Sequence, residues 1–331
     1  AGVVLLLGVV LLYSLTNDHS FASEQGLSPY LDDHRGLLTL IFSLLVGGLA
    51  VKAAMVPLHG WLPRAMVAPA PVSALLHAVA VVKAGAFGIL RVIYDLYGIE
   101  LSVELGVTTV LAVAASITII YGSLRAIAQE ELKPRLAFST ISQASYVVLG
   151  VSLFGPFGTI GALAHLLHQG LMKVTLFFCA GNYAEELGIH RLDEMDGAGK
   201  RMPLTSLAFT VGALGMIGLP PTAGFITKWY LGMGAIEADM YWVVAVLVAS
   251  STLNAIYFLP IVHRLWFREG PAHGKGQWPK EQSLGRLETH GWLLWPAVLT
   301  AVISIGAGLL AGLPFSPLDW ATRVAVGEYL P

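Results

Sequence analysis

The chain has 331 residues, of which 56% are hydrophobic and only 12% charged, and its mean hydropathy is +0.71. Soluble domains carry roughly 25% charged residues, so the composition excludes an ordinary soluble protein and indicates a membrane protein. The net charge of −2 gives no sign of nucleic-acid binding. The single cysteine, Cys179, excludes a disulfide within the chain and a cysteine-based metal site.

Apolar runs of about 17–25 residues alternate with short polar stretches, and this is the length that a helix needs to cross a bilayer. The runs are too long and too continuous for the alternating strands of a membrane barrel. The sequence therefore predicts an all-α, polytopic bundle of transmembrane helices, because backbone groups in lipid must be satisfied internally. The nine or so predicted spans are 1–15, 36–57, 70–94, 105–127, 135–153, 158–182, 203–235, 240–263 and 290–312.

Two predicted spans are interrupted, at VPLHGWLP within 36–66 and at GLPPTAG within 203–235. An interruption frees backbone groups that only protein or water can satisfy at membrane depth. Transporters place such broken helices beside their ion sites. We predict a short piece at 58–66 that belongs to the first broken helix. The residues predicted to break the helices are Pro57, Pro63, Pro220, Pro221 and Gly224.

The lysines and arginines of the predicted loops fall mostly on one side of this layout. The positive-inside rule makes that side cytoplasmic, which places residue 1 on the cytoplasmic side and Pro331 outside. Lys52, Lys83, Lys173 and Lys228 are different, because they lie within the predicted spans.

A charge at the bilayer centre costs at least ~2.5–3.5 kcal/mol, so these four lysines must face protein or water. Buried lysine can release its proton whereas arginine keeps it, which favours proton handling. The alternatives are pairing with a carboxylate and snorkelling of the side chain to an interface. Few acidic residues lie within the spans, so pairing within the chain cannot serve all four lysines.

The sixth predicted span reads HLLHQGLMKVTLFFCAG, in which His165, Gln169 and Lys173 recur at helical spacing and His168 flanks them. Imidazole both donates and accepts near neutral pH, so such a stripe can pass protons. A metal site at His165 and His168 lacks a third ligand. Hydrogen bonding between helices is the remaining alternative, and it also applies to His77, our accessory candidate on the span of Lys83.

Four segments in combination resemble the antiporter-like subunits of Mrp-type cation/proton antiporters, respiratory complex I and membrane-bound hydrogenases. The resemblance covers about residues 36–270, and its motifs are most similar to the D subunit of Mrp antiporters or to a hydrogenase-type homologue. It implies an inverted-repeat transporter fold. Residues 1–94 are then the remainder of the first repeat, 105–268 the second, and 290–331 a C-terminal transmembrane helix and tail. The segments are PLHGWLPRAMVAPAPVSALLHAVAVVKAG, KPRLAFSTISQASYVVLG, HLLHQGLMKVTLFFCAGNY and GMIGLPPTAGFITKWYL.

The resemblance also implies roles for individual residues. Lys52 is the lysine of the broken seventh helix and Lys83 that of the eighth, while Lys228 belongs to the broken twelfth. His165 and Lys173 form the eleventh-helix relay, in which Gln169 stands where relatives often carry a second histidine. The family's fifth-helix glutamate, which pairs with the seventh-helix lysine, has no counterpart here. We expect the first five helices to come from another chain, or the sequence to be partial.

These features predict a proton-translocating subunit of a Mrp-type antiporter in a bacterial or archaeal plasma membrane. Two alternatives stay open: a proton-pumping subunit of a redox complex such as complex I or a hydrogenase, and a membrane scaffold without transport. The expected partners are other membrane subunits, the lipid bilayer, protons, and Na⁺ or K⁺ as the exchanged ion. No cofactor or metal is expected, and no redox chemistry of the chain's own.

Overall fold

The computed structural model describes residues 1–17, 27–270, 278 and 288–329. Within these ranges the chain is almost wholly helical, which confirms the predicted all-α membrane bundle. The α-helices are α1 (Gly2–Thr16), α2 (Leu31–Lys52), α3 (Trp61–Arg64), α4 (Ala70–Ala74), α5 (Val81–Arg91), α6 (Ile99–Glu104), α7 (Val107–Ile127), α8 (Leu132–Ser152), α9 (Pro156–Glu186), α10 (Ala198–Arg201), α11 (Pro203–Ile217), α12 (Ala223–Glu237), α13 (Tyr241–Phe267), α14 (Gly291–Leu309) and α15 (Pro317–Tyr329).

Among the described residues, six helical segments are long and apolar enough to cross a membrane. Helices α1 and α11 are apolar but shorter. These segments and the two shorter helices all overlap spans that the sequence predicts. Helix α9 lies at the centre of the bundle, packed against α8, α11, α12, α14 and α15. The six segments are Ser28–Lys52, Ala70–Tyr97, Val107–Ile127, Pro156–Glu186, Tyr241–Phe267 and Gly291–Leu309.

Helix α8 differs from the other long helices because its side chains are buried from Arg135 to Ser152. It lies between α7 and α9, so it needs no apolar surface toward lipid. The Ser142 hydroxyl is 2.9 Å from that of Ser123 on α7. A Cβ on Gly122 would lie 2.8 Å from the Ser142 nitrogen, so the two helices touch closely there. Small and hydroxyl residues of this kind are typical of helix contacts within membranes.

Both predicted interruptions are present. Helix α2 ends at Lys52, and the chain turns through 53–60 before α3. The freed carbonyl of Val51 accepts a hydrogen bond of 2.7 Å from the Trp61 indole, so protein groups satisfy the break as membrane depth requires. Pro63 lies inside α3. The second break is the five residues between α11 and α12.

The segment that carries His77 and Lys83 is not one regular helix. Residues Leu75–Val79 form a wide π-helical turn, and Ala80 then leaves helical geometry with φ −99° and ψ −80°. Lys83 follows on α5. The two residues therefore contact different neighbours: His77 packs against Phe177, and Lys83 donates to the Leu166 carbonyl.

Helix α15 lies in the segment that the sequence analysis treats as a tail. Its Ala321 and Ala325 pack against Ile160 and Ala164 of α9. The Ser316 hydroxyl accepts a 3.0 Å hydrogen bond from the Asp319 N–H, which is how an N-cap satisfies the first turn of a helix. The signal was present as Ser-Pro-Leu-Asp, a capping residue followed by proline at the first helical position.

We predict that Ser316→Ala loosens α15. Loss of an N-cap costs about 1 kcal/mol, so amide hydrogen exchange within Pro317–Tyr329 should become roughly fivefold faster. Thr322→Ala is the matched control, because the Thr322 hydroxyl bonds within the helix to the Leu318 carbonyl. Equal exchange rates in the two variants would show that the cap does not hold this helix.

Candidate functional site

The predicted polar stripe of α9 lies in the interior of the bundle. His165, His168, Gln169 and Lys173 are each at most 1% exposed. Their spacing places them along one side of a continuous 31-residue helix. Burial of this many ionisable groups at membrane depth is costly, so the surrounding helices must supply compensating polar atoms.

The His165 ring bonds to two neighbouring helices. Its Nε2 is 3.1 Å from the carbonyl oxygen of Gln143 on α8, and its Nδ1 is 3.1 Å from the hydroxyl of Thr227 on α12. Since Thr227 immediately precedes Lys228 in the chain, the stripe on α9 and the second broken helix meet at His165.

Lys228 uses all three of its ammonium hydrogens. The Nζ atom donates to the carbonyls of Met216 and Ile217, at 3.1 and 2.7 Å, and to the Ser251 hydroxyl at 3.0 Å. Both carbonyls belong to the end of α11, where the break leaves them without helical partners. A helix C-terminus carries a partial negative charge that favours a cation. The break at 218–222 therefore forms the binding site of the Lys228 ammonium.

Lys173 and Lys83 are also held by neutral oxygen atoms. Lys173 donates to the Leu136 carbonyl at 3.2 Å and to the Ser139 hydroxyl, both on α8. Lys83 donates to the Leu166 carbonyl of α9, the residue after His165. The ammonium of Lys83 thus lies beside the polar stripe although it comes from another helix.

Lys52 is placed apart from these residues. It ends α2 and its side chain is exposed on the surface of the chain. The carbonyl of its neighbour Val51 is already occupied by Trp61. The structure therefore buries His165 and Lys173 in the bundle, places the half-buried Lys83 and Lys228 beside them, and leaves Lys52 apart.

Within the described ranges, the ion pairs join arginines to carboxylates, and none involves Lys83, Lys173 or Lys228. The carboxylate pairing that the sequence left open for these lysines is not what the structure shows. Carbonyl and hydroxyl oxygens compensate the charge instead. Such acceptors are neutral, so no unpaired anion is left behind when a lysine gives up its proton.

Several buried polar atoms near the stripe have no protein partner. These atoms are both ring nitrogens of His77 and the side-chain amide nitrogens of Gln143 and Gln169. Buried polar groups in proteins are normally hydrogen-bonded, and internal water is the usual partner where protein is lacking. The interior around these residues of α8 and α9 is therefore suited to hold water. The His77 ring also packs 5.1 Å from that of Phe177, one helical turn beyond Lys173.

The sequence analysis missed the polar residues of α13. The Asn254 amide donates to the Met216 carbonyl at 3.0 Å and accepts from the Tyr257 hydroxyl at 2.6 Å. Asn254 therefore shares an acceptor with Lys228. The available signal was an asparagine inside an apolar helix, which is costly unless it faces protein.

The fold and this interior define a class: polytopic helical membrane proteins with ionisable side chains gathered beside a broken helix. The chain belongs to a known family within it, because the model of the family NADH:quinone oxidoreductase/Mrp antiporter, TM, matches residues 1–254. The resemblance inferred from the sequence motifs is thereby confirmed.

Individual relatives agree with this assignment. The chain is 39% identical over 310 residues to NADH-quinone oxidoreductase subunit N of Desulforudis audaxviator, covering 92% of this chain and 61% of that one. It is 36% identical over 242 residues to hydrogenase-4 component B of Escherichia coli, covering 69% and 35%. A chain of the solved Mrp complex from a Dietzia species superposes with a TM-score of 0.84 at 28% identity, covering 99% and 66%. The chain thus spans less than two thirds of the length of these relatives.

We predict that Gly218→Ala disturbs the Lys228 site. Gly218 has a φ of +87°, which costs other residues about 1–2 kcal/mol. An added Cβ would also lie 2.8 Å from the Lys228 Cδ atom. The thermal unfolding midpoint in detergent should fall. Gly232→Ala, in the open middle of α12, is the control and should be neutral or stabilising. Equal midpoints would contradict the proximity of Gly218 to the lysine.

A second prediction concerns α13. Asn254→Leu removes one hydrogen bond from the Met216 carbonyl, which keeps the Lys228 ammonium as a donor, and one from the Tyr257 hydroxyl. Each lost hydrogen bond costs about 1 kcal/mol. The unfolding midpoint should fall clearly below that of Thr252→Ala, whose exposed hydroxyl bonds within its own helix. If the two variants unfold alike, the Asn254 bridge does not contribute to stability.

Proposed function

We propose that the chain is a proton-translocating subunit of a multi-subunit membrane complex. The observation that carries this proposal is the coordination of Lys83, Lys173 and Lys228 by neutral oxygen atoms inside the bundle. A lysine held by a carboxylate keeps its proton, because deprotonation would strand a buried anion. A lysine held by carbonyls and hydroxyls can release its proton and take up another.

His165 connects these lysines in the proposed route. The Lys83 ammonium bonds to the carbonyl of Leu166, the residue after His165, and the His165 ring bonds to Thr227, the residue before Lys228. Neutral His165 can take up a second proton at Nδ1 and release it again from that nitrogen, because Nε2 already donates to the Gln143 carbonyl. Lys173 and His168 extend the route along α9, and water at the unpartnered polar atoms, including those of His77 and Gln169, would bridge the gaps.

Lys52 has a different place in the proposal. Its exposed side chain needs a partner at membrane depth, and we propose that another membrane segment covers it with a carboxylate. Each broken helix carries one lysine near its break, Lys52 before the first and Lys228 after the second. This supports assignment of 1–94 and 105–268 to two related repeats, with 290–331 outside them.

The Mrp-type antiporter is the parent complex that we propose first. The superposition on a chain of the Mrp complex, which covers 99% of this chain, supports it. Protons would then exchange for Na⁺ or K⁺ across a bacterial or archaeal plasma membrane, with residue 1 on the cytoplasmic side. A redox pump is the second candidate, because subunit N of NADH-quinone oxidoreductase is 39% identical.

The two parent complexes differ in what accompanies this chain. The complex purified from native membranes through this subunit would carry flavin and iron–sulfur absorbance if it is a redox pump. It would acidify or alkalise vesicles in response to a Na⁺ or K⁺ gradient alone if it is an antiporter. Gradient-driven exchange without redox cofactors would support the Mrp assignment. Proton pumping driven by electron transfer would instead assign the chain to a redox pump.

If the chain translocates protons, removing the charges of Lys228 and Lys173 should lower proton flux. Lys228→Met and Lys173→Met in the complete complex, reconstituted in proteoliposomes, should lower proton flux at least about tenfold, since a relay group is lost. Lys200→Met, at an exposed lysine of α10, is the control and should leave flux unchanged. Wild-type flux in both interior variants would favour the scaffold without transport.

A further inference from the structure

We infer that Thr227 is a positioning residue that ties the protonation state of His165 to the broken helix carrying Lys228. Thr227 is fully buried, and its hydroxyl lies between two groups that can each take its hydrogen. The inference rests on the proposed proton translocation and deepens it. It states how the protonation state of His165 affects the broken helix that carries Lys228.

Each contact of the His165 ring limits where hydrogens can be. The Gln143 carbonyl, 3.1 Å from Nε2, can only accept, so Nε2 carries a hydrogen. Nδ1 lies 3.1 Å from the Thr227 hydroxyl oxygen. That oxygen is also 3.0 Å from the Gly224 carbonyl, which again can only accept. The Thr227 hydroxyl has one hydrogen and therefore cannot donate to both.

The two charge states of His165 require opposite orientations of this hydroxyl. In neutral His165, Nδ1 has a lone pair and takes the Thr227 hydrogen. In the imidazolium, Nδ1 carries a hydrogen and donates to the Thr227 oxygen, so the hydroxyl turns and donates to Gly224. Protonation of His165 thus moves a hydrogen bond onto the first turn of α12, four residues before Lys228.

The groups around His165 give this movement a role in transfer. Lys83 of α5, Lys228 of α12 and His168 of α9 interact electrostatically with the ring, and the Tyr146 ring of α8 packs 5.2 Å from it. Formation of the imidazolium turns the Thr227 hydroxyl toward the Gly224 carbonyl, so the charge state of His165 changes the hydrogen bonding of the broken helix that carries Lys228.

The test uses two substitutions of Thr227 in the complete complex in proteoliposomes. Thr227→Val keeps the branched shape and removes the hydroxyl, whereas Thr227→Ser keeps the hydroxyl. We expect proton flux to fall about tenfold in Thr227→Val, since the imidazolium loses an acceptor, and to stay near wild type in Thr227→Ser. The pH at which flux is half-maximal should change in the valine variant alone.

Lys228→Met separates this inference from the proposed function. If Thr227→Val keeps wild-type flux and pH profile while Lys228→Met loses flux, the role of Thr227 is refuted and proton translocation stands. Equal loss in Thr227→Val and Thr227→Ser also refutes it, because the hydroxyl is then not the operative group. If Lys228→Met and Lys173→Met both keep full flux, the proposed function fails and the role of Thr227 fails with it.

Discussion

An ammonium group inside a bilayer must be surrounded by oxygen atoms, and the second broken helix provides them for Lys228. Carbonyls freed at the end of α11 accept two of its hydrogens, and a hydroxyl of α13 accepts the third. Gly218 ends α11 in a conformation that favours glycine, and Pro220 and Pro221 keep the helix from continuing. The interruption and the lysine therefore depend on each other, and α13 and α9 contact them through Ser251 and His165.

The first broken helix is built on a different principle. There the Trp61 indole occupies the Val51 carbonyl, and Lys52 extends from the end of α2 to the surface of the chain. Two interruptions that look alike in sequence thus hold their lysines differently. Lys228 is satisfied within the chain, whereas Lys52 is exposed to whatever lies beside it in the membrane.

Much of the fold could be predicted from the sequence because lipid imposes simple rules on it. Long apolar runs gave the spans, and proline with glycine inside such runs gave both breaks. The stripe His165, Gln169 and Lys173 was predictable from helical spacing alone. Helix α15 was not recognised because its apolar face is narrow, and only the Ser316 cap marks its start.

At the site, the sequence identifies the functional residues better than it identifies their partners. Lysines within apolar spans are easily recognised, but the sequence does not show which backbone carbonyl accepts a hydrogen bond from each lysine. Thr227 and Asn254 are ordinary polar residues in apolar helices, and only packing reveals that they touch His165 and Met216. The exposure of Lys52 likewise depends on which helices pack beside α2, and helical spacing does not determine this.

In this account, neutral oxygen atoms and not carboxylates compensate the charges of Lys83, Lys173 and Lys228. A map of the complete complex in lipid, at a resolution that shows water, tests it most directly. We predict the Lys228 Nζ atom within hydrogen-bonding distance of the Met216 and Ile217 carbonyls, and ordered water between Lys83, His165 and Lys228. A carboxylate from any subunit within 4.0 Å of the Lys228 ammonium, an ion-pair distance, or a dry interior between these residues, would contradict it.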